Sequence, residues 1–248
     1  MHHSPSKDGR SSWKKFVAAL AAAGFALALG ACAPLAPTPS GAVMTRASQQ
    51  AMSPEQALQK LKDGNARFLA GAMQARDLRA QAAATGRNGQ YPFASVVSCI
   101  DSRADPALVF DQGIGDLFIA RVAGNVVNAD ILGSLEYASA MAGSKVIVIL
   151  GHTHCGAIKG ACDSAKMGNL TQLLERLQPA VAATASKPGA DRSSHNGAFV
   201  DAVAETNVHL TVRQLLAQSP VLKQMVDKGQ LKVVGAMLDV ETGQVRFD

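Results

Sequence analysis

Cys99-Ile100-Asp101-Ser102-Arg103 places a thiol, a carboxylate and a guanidinium at alternate positions of the chain. Further along, His152-Thr153-His154-Cys155 adds an imidazole and a second thiol. Two thiolates and one imidazole suit zinc, and three protein ligands leave a fourth position for water or a carboxylate. The expectation is a catalytic zinc site held by Cys99, His152 and Cys155, with the Asp101 carboxylate able to join it. Zinc lowers the pKa of its bound water and makes hydroxide available near neutral pH. Two thiolates cancel the charge of the ion, so this site should acidify water less than an all-imidazole one. Arg103, a planar two-pronged donor, can hold Asp101 off the metal. Activity should then rise with pH as Asp101 leaves zinc.

Those groups need elements to bring them together. Phe93-Ala94-Ser95-Val96-Val97-Ser98 and Lys145-Val146-Ile147-Val148-Ile149-Leu150 both read as buried strands, each running into one of the motifs. Side chains two apart on an extended backbone share a face, which would aim Cys99, Asp101 and Arg103 at one point. The second run is expected to break at Gly151. If the two strands are parallel neighbours, both motifs meet at the carboxyl edge of one sheet, where open α/β sheets bind ligands.

The remaining pattern alternates helices and strands. Ser53-Pro54-Glu55-Gln56 is a capped helix start with a capping box, followed by the stripe Leu58, Leu61, Phe68 and Leu69. A second helix is expected over residues 72–84, broken by 86–89. Asp105-Pro106 starts another, stopped at Gly113. Leu117 to Ala120 reads as a strand and residues 131–141 as a helix. Leu170, Leu173, Leu174, Leu177 and Val181 mark one helical face, and Phe199, Val200, Val203, Leu210 and Leu215 a long helix. Residues 231–240 form a fourth strand, turning at Glu241-Thr242-Gly243 into a short last one. The fold class is α/β: a mostly parallel sheet of about four strands plus an antiparallel edge strand, flanked by helices, with an N-terminal helical arm.

Lys14 and Lys15 precede a chargeless apolar run over residues 16–30, closed by Leu29-Gly30-Ala31-Cys32. This is the layout of an export signal, too short to span a bilayer. Its end resembles a bacterial lipoprotein signal, in which Cys32 would become the lipidated first residue; ordinary cleavage after Ala33 is the alternative. Residues 1–31 are thus a signal, 32–52 a Pro-containing tether and 53–248 the catalytic domain. The protein is expected to be exported, periplasmic or anchored at a membrane surface.

Of the net charge of +5, more than half lies in Lys7, Arg10, Lys14 and Lys15. No dense basic patch with interleaved aromatics follows, so nucleic-acid binding has no support. Thiol redox chemistry has none either, because no Cys-x-x-Cys occurs. Cys162 reads as a small core residue, and His195 and His209 as exposed or locally bonded.

With both motifs placed, the chain resembles the β-class carbonic anhydrases through their Cys-x-Asp-x-Arg and His-x-x-Cys. The likeness extends through Gly115-Asp116-Leu117-Phe118, Arg121-Val122-Ala123-Gly124-Asn125, Ser134-Leu135-Glu136-Tyr137 and Asp239-Val240-Glu241-Thr242-Gly243. The resemblance implies zinc on Cys99, His152 and Cys155, an Asp101–Arg103 catalytic dyad, and a homodimer or homotetramer that interconverts CO₂ and bicarbonate. Gln90 sits where many members keep a substrate-orienting Gln, and Phe118, Ala123 and Tyr137 where they wall the CO₂ pocket. Gln90 and the Gly156 N–H are candidate donors to bicarbonate oxygens. Ala104-Asp105 stands where members often carry Val-Pro. Hydrolysis of CS₂ or COS on the same scaffold, or a non-catalytic zinc-binding lipoprotein, are the competing readings. A closed four-ligand site would mark the last of these.

Overall fold

A computed structural model describes residues 40–248. The signal region, the lipidation candidate Cys32 and the first part of the tether lie outside the described residues. At the centre is a five-stranded sheet of order β2-β1-β3-β4-β5. Its strands are β1 (Ala94–Ser98), β2 (Leu117–Arg121), β3 (Val146–His152), β4 (Lys232–Leu238) and β5 (Val245–Phe247). The first four are parallel, and β5 pairs antiparallel with β4. The parallel sheet with one antiparallel edge is the one expected from sequence.

Period-2 alternation sorts the central strands into two cores. Val97, Ile147 and Ile149 enter one core, packed against the helices that follow β3. Val96, Val146, Val148 and Leu150 enter the other with Ala57, Leu58 and Leu61 of α2 (Pro54–Leu69). Both faces are covered, which is why β1 and β3 are buried along their whole length and Val146 to Leu150 is an unbroken apolar run. Strand β2 is an edge strand and is only partly covered.

Several elements differ from the sequence reading, each for a local reason. Residues 40–52 belong to the domain rather than to a tether: they carry α1 (Arg46–Ala51), capped by Thr45. Its buried Gln49 donates to the carbonyls of Pro92 and Ala142, both at 2.8 Å. In α2 the Ser53 capping box forms, but Leu69 at the last turn is exposed. Helix α3 (Leu78–Asn88) passes through Gly86 and is closed by Gly89 at φ +82°. Helix α4 (Pro106–Val109) stops before Gly113, where Asp111 adopts φ +46°. The 131–141 helix is α5 (Ala129–Glu136), started by an Asn128 cap and widened at its end into a π-helical turn, Tyr137–Met141.

After β3 come α6 (Gly156–Cys162), α7 (Gly168–Glu175) and α8 (Gln178–Ala183). The single helical face expected over 170–181 is split between α7 and α8, because Pro179 has no N–H to continue the ladder. Helix α9 (Gly197–Gln218) is the long helix expected, and α10 (Pro220–Asp227) follows it. Strand β3 does not break at Gly151. It pairs with β4 through His152, and a Cβ at Gly151 would lie 2.5 Å from Val208 Cγ2. The glycine lets α9 lie close against β3. No helix among the described residues is long and apolar enough to cross a membrane.

Candidate metal centre

The parallel β1–β3 pairing puts Cys99 just past one strand end, His152 on the other, and Cys155 at the N-cap of α6. The two sulfurs and an imidazole nitrogen lie within 4.8 Å of one another, and all three residues are buried. His152 Nδ1 lies 2.9 Å from the Thr153 carbonyl, which can only accept, so Nδ1 donates and Nε2 carries the lone pair. Nε2 is buried and has no hydrogen-bond partner. An orphaned imidazole nitrogen beside two thiols is a costly arrangement alone and a fitting one around zinc.

The thiols are electrostatically unlike. The Cys155 thiol beside it, helped by the Gly124 N–H at 3.4 Å, lowers the Cys99 pKa to about 4. Cys155 is pushed up by its hydrogen bond with Cys99 and by burial. A divalent cation binding here would take the place of the thiol protons.

Asp101 stands outside the three-ligand cluster. Its Oδ2 lies 4.0 Å from His152 Nε2. Arg103 grips the carboxylate with both prongs, Nε to Oδ1 at 3.0 Å and Nη2 to Oδ2 at 2.8 Å. That guanidinium holds the carboxyl well below the usual carboxylate range. The alternating extended geometry expected for this motif is not what forms. The Arg103 N–H bonds Asp101 Oδ1 and the Ala104 N–H bonds the Asp101 carbonyl, closing a turn. The turn folds Arg103 back onto Asp101.

The other candidates are distributed unequally. Ala123 opens the short turn Ala123–Asn125, whose Gly124 N–H reaches Cys99. Gly156 is the first residue of α6 and is exposed, and a Cβ there would meet nothing within 4 Å. Phe118 and Tyr137 stack edge to face at 6.4 Å. They line a groove of about 700 Å³ between the β1–β2 edge and α5, and none of the three cluster residues lines it. Gln90 is exposed and precedes β1, at the amino edge of the sheet. Five strand residues at about 3.3 Å each separate that edge from Cys99, so one chain does not bring Gln90 to the cluster. His154, in the left-handed region at φ +56°, is half-exposed beside Glu241, with its N–H on Asp201 Oδ1 at 2.7 Å. Cys162 packs against the core.

Three residues outside the cluster hold its parts in place. Arg121 donates to the carbonyls of Cys99 at 2.9 Å and Asp101 at 2.5 Å, and pairs with Asp105 at 3.4 Å. The Thr153 carbonyl orients His152. Asn207 of α9 donates to the Gly124 carbonyl at 2.9 Å. The only sequence signal for Asn207 is a polar residue at core spacing among Val200, Val203, Ala204 and Thr211. A second set, Glu205, His209 and Asp248, also converges. It is more exposed and already paired, Glu205 with Arg246 and His209 with Asp248, and reads as a surface ion-pair network.

Comparison with known proteins agrees with this geometry. The sequence pattern of the family described as carbonic anhydrase matches residues 94–245. Carbonic anhydrase 2 of Mycobacterium tuberculosis is 36% identical over 201 residues, covering 77% of this chain and 91% of the relative. The carbonic anhydrase of Mycolicibacterium smegmatis is 35% identical over 200 residues, covering 79% and 93%. Among solved structures, the β-carbonic anhydrase CafA of Aspergillus fumigatus superposes with a TM-score of 0.60 at 26% identity, covering 78% of this chain and 89% of that one.

Proposed function

The chain belongs to the β-class carbonic anhydrases, and from that premise we infer that it hydrates CO₂ reversibly to bicarbonate and a proton, with one zinc held by Cys99, His152 and Cys155. The observation that carries the reading is the triangle of two thiols and the unpartnered His152 Nε2 beside a carboxylate held away from it. When bound, the zinc supplies an acidified water at the open position.

The chain's own groups do the rest. Asp101 stays ionised under the Arg103 fork and so acts only as an acceptor, holding the proton of the attacking water at Oδ2 and turning its lone pair toward carbon. Arg103 keeps that carboxylate from closing the fourth position. Arg121 fixes the carbonyls on either side of Ile100, so Cys99 and Asp101 keep their spacing. The Gly156 N–H, at the exposed start of α6, would donate to a bicarbonate oxygen.

The catalytic unit is an oligomer of two or four chains. Ile119 on the edge strand β2 and Tyr137, which lines the same groove, are exposed apolar side chains that a second copy would cover. Gln90 would act across such an interface. The protein is exported and lipid-anchored through Cys32, a reading supported by Lys14, Lys15 and the apolar run ending at Cys32. Intact mass of the membrane fraction tests this. A chain starting at Cys32 with added acyl mass is expected, and an unmodified start after Ala33 refutes the anchor.

The activity is tested by stopped-flow CO₂ hydration with the zinc content measured in parallel. One zinc per chain and a rate well above background are expected, with zinc lost in His152→Ala. Zinc-free folded protein, or background rates for both wild type and Asp101→Ala, would refute the reading.

A further inference from the structure

Asn207 lies in the middle of α9, remote in sequence from both ligand motifs. It is 4% exposed, among Val200, Val203, Ala204 and Val208, which are apolar and buried. A buried amide at an apolar helix face is costly unless its hydrogen bonds are met. Its Nδ2 spends one on the Gly124 carbonyl, at 2.9 Å and fully inside the protein.

Gly124 is the residue whose N–H reaches Cys99 Sγ at 3.4 Å. It sits at φ +73°, and a Cβ there would lie 2.9 Å from Leu177 Cδ1. The turn therefore needs a glycine, and glycine left to itself is the residue freest to leave that conformation. Asn207 is the side chain that ties its carbonyl down. The tie is held in place because α9 is set directly against β3, with Val208 Cγ2 only 2.5 Å from where a Gly151 Cβ would be. The same helix thus braces the strand that delivers His152 and the turn that covers Cys99.

We propose that Asn207 is a positioning residue for the metal centre: through the Gly124 turn it holds the Gly124 N–H on the Cys99 sulfur and so fixes that ligand relative to His152. The proposal rests on the zinc reading above. Outer hydrogen-bond partners of metal ligands commonly change metal affinity 10–100-fold when removed, and Asn207 acts one residue further out, through Gly124.

The test is zinc release from the holoenzyme to a chromophoric chelator, for wild type, Asn207→Leu and Asn207→Ser, with Leu215→Ala as control. Leucine keeps the volume and removes the donor; serine is too short to reach Gly124 and covers the case in which leucine does not fold. Leu215→Ala loosens the same helix from the core without touching Gly124. Zinc affinity is expected to fall about tenfold in the Asn207 variants, and to stay near the wild-type value in Leu215→Ala at an equal or larger drop in melting temperature. Wild-type affinity in the folded Asn207 variants would overturn the proposal and leave the zinc reading standing. Equal zinc loss in Leu215→Ala would also overturn it, since general loosening of α9 would then suffice. Wild type without zinc would overturn the parent reading and this one together.

Discussion

Asp101 and Arg103 show how little separates an active carboxylate from a metal ligand. Asp101 Oδ2 lies only 4.0 Å from His152 Nε2, and what keeps it from the cluster is a two-pronged hydrogen bond. Lysine offers a point charge in place of that fork. Arg103→Lys should therefore lower kcat for CO₂ hydration about tenfold or more, and Asp101→Ala by roughly 10²-fold, the lower end of what proton-handling groups supply. Because the two act as a unit, the double variant should be no slower than Asp101→Ala alone. Additive losses in the stopped-flow assay would mean that Arg103 acts independently of Asp101.

At the scale of elements, one buried carboxylate gathers two arginines of the segment before the sheet onto the end of α4. Asp111, fully buried at the end of α4, accepts Arg67 Nε at 2.5 Å and is also gripped by Arg76. Burial pushes this carboxyl up, and the hydrogen bonds from Arg76 and Arg67 more than offset it, leaving the pKa below its ordinary value. A group depressed in the folded state contributes stability that is present above its unfolded pKa and lost as pH falls through the folded one. Asp111→Asn should cost about 3 kcal/mol at pH 7, since it leaves two guanidiniums without their partner. Its melting temperature should also fall less steeply than that of wild type below about pH 4. Parallel wild-type and variant curves across that acid range would show that Asp111 does not carry this dependence.

For the molecule as a whole, the site depends on two layers meeting at one sheet edge. Helix α9 closes the layer behind the ligands, and the approach it makes at Gly151 leaves no room for a methyl group. A Cβ there would meet Val208 Cγ2 at 2.5 Å and Met237 Sδ at 2.8 Å. Gly151→Ala should cost about 1–3 kcal/mol by overpacking. It should also weaken zinc binding, because His152 is the next residue on β3. Urea unfolding together with zinc titration checks both. A destabilised variant with unchanged zinc affinity would show that the β3 end tolerates displacement of α9.

What the amino-acid sequence determined by itself was the chemistry and its scaffold. The ligand types, their spacing and the apolar runs before them are local properties, and a strand buried on both faces announces itself residue by residue, as in Val146 to Leu150. The dyad was legible as a pair, though not as a turn, because Asp101 bonds the Arg103 backbone in preference to an extended conformation. Helix ends are not legible where a distant partner decides them: Asp111 leaves the helical conformation to meet Arg67 and Arg76, and the residues before α2 fold because Gln49 finds the Pro92 and Ala142 carbonyls. Gly151 looked like a breaker and is a point of contact. Only the tertiary structure could show that Asn207 braces Gly124, that Arg121 holds two carbonyls of the ligand loop, and that Gln90 lies at the opposite sheet edge from Cys99. These are relations between residues far apart in the chain, created when packing brings backbone polar groups within reach of side chains that no local pattern connects to them.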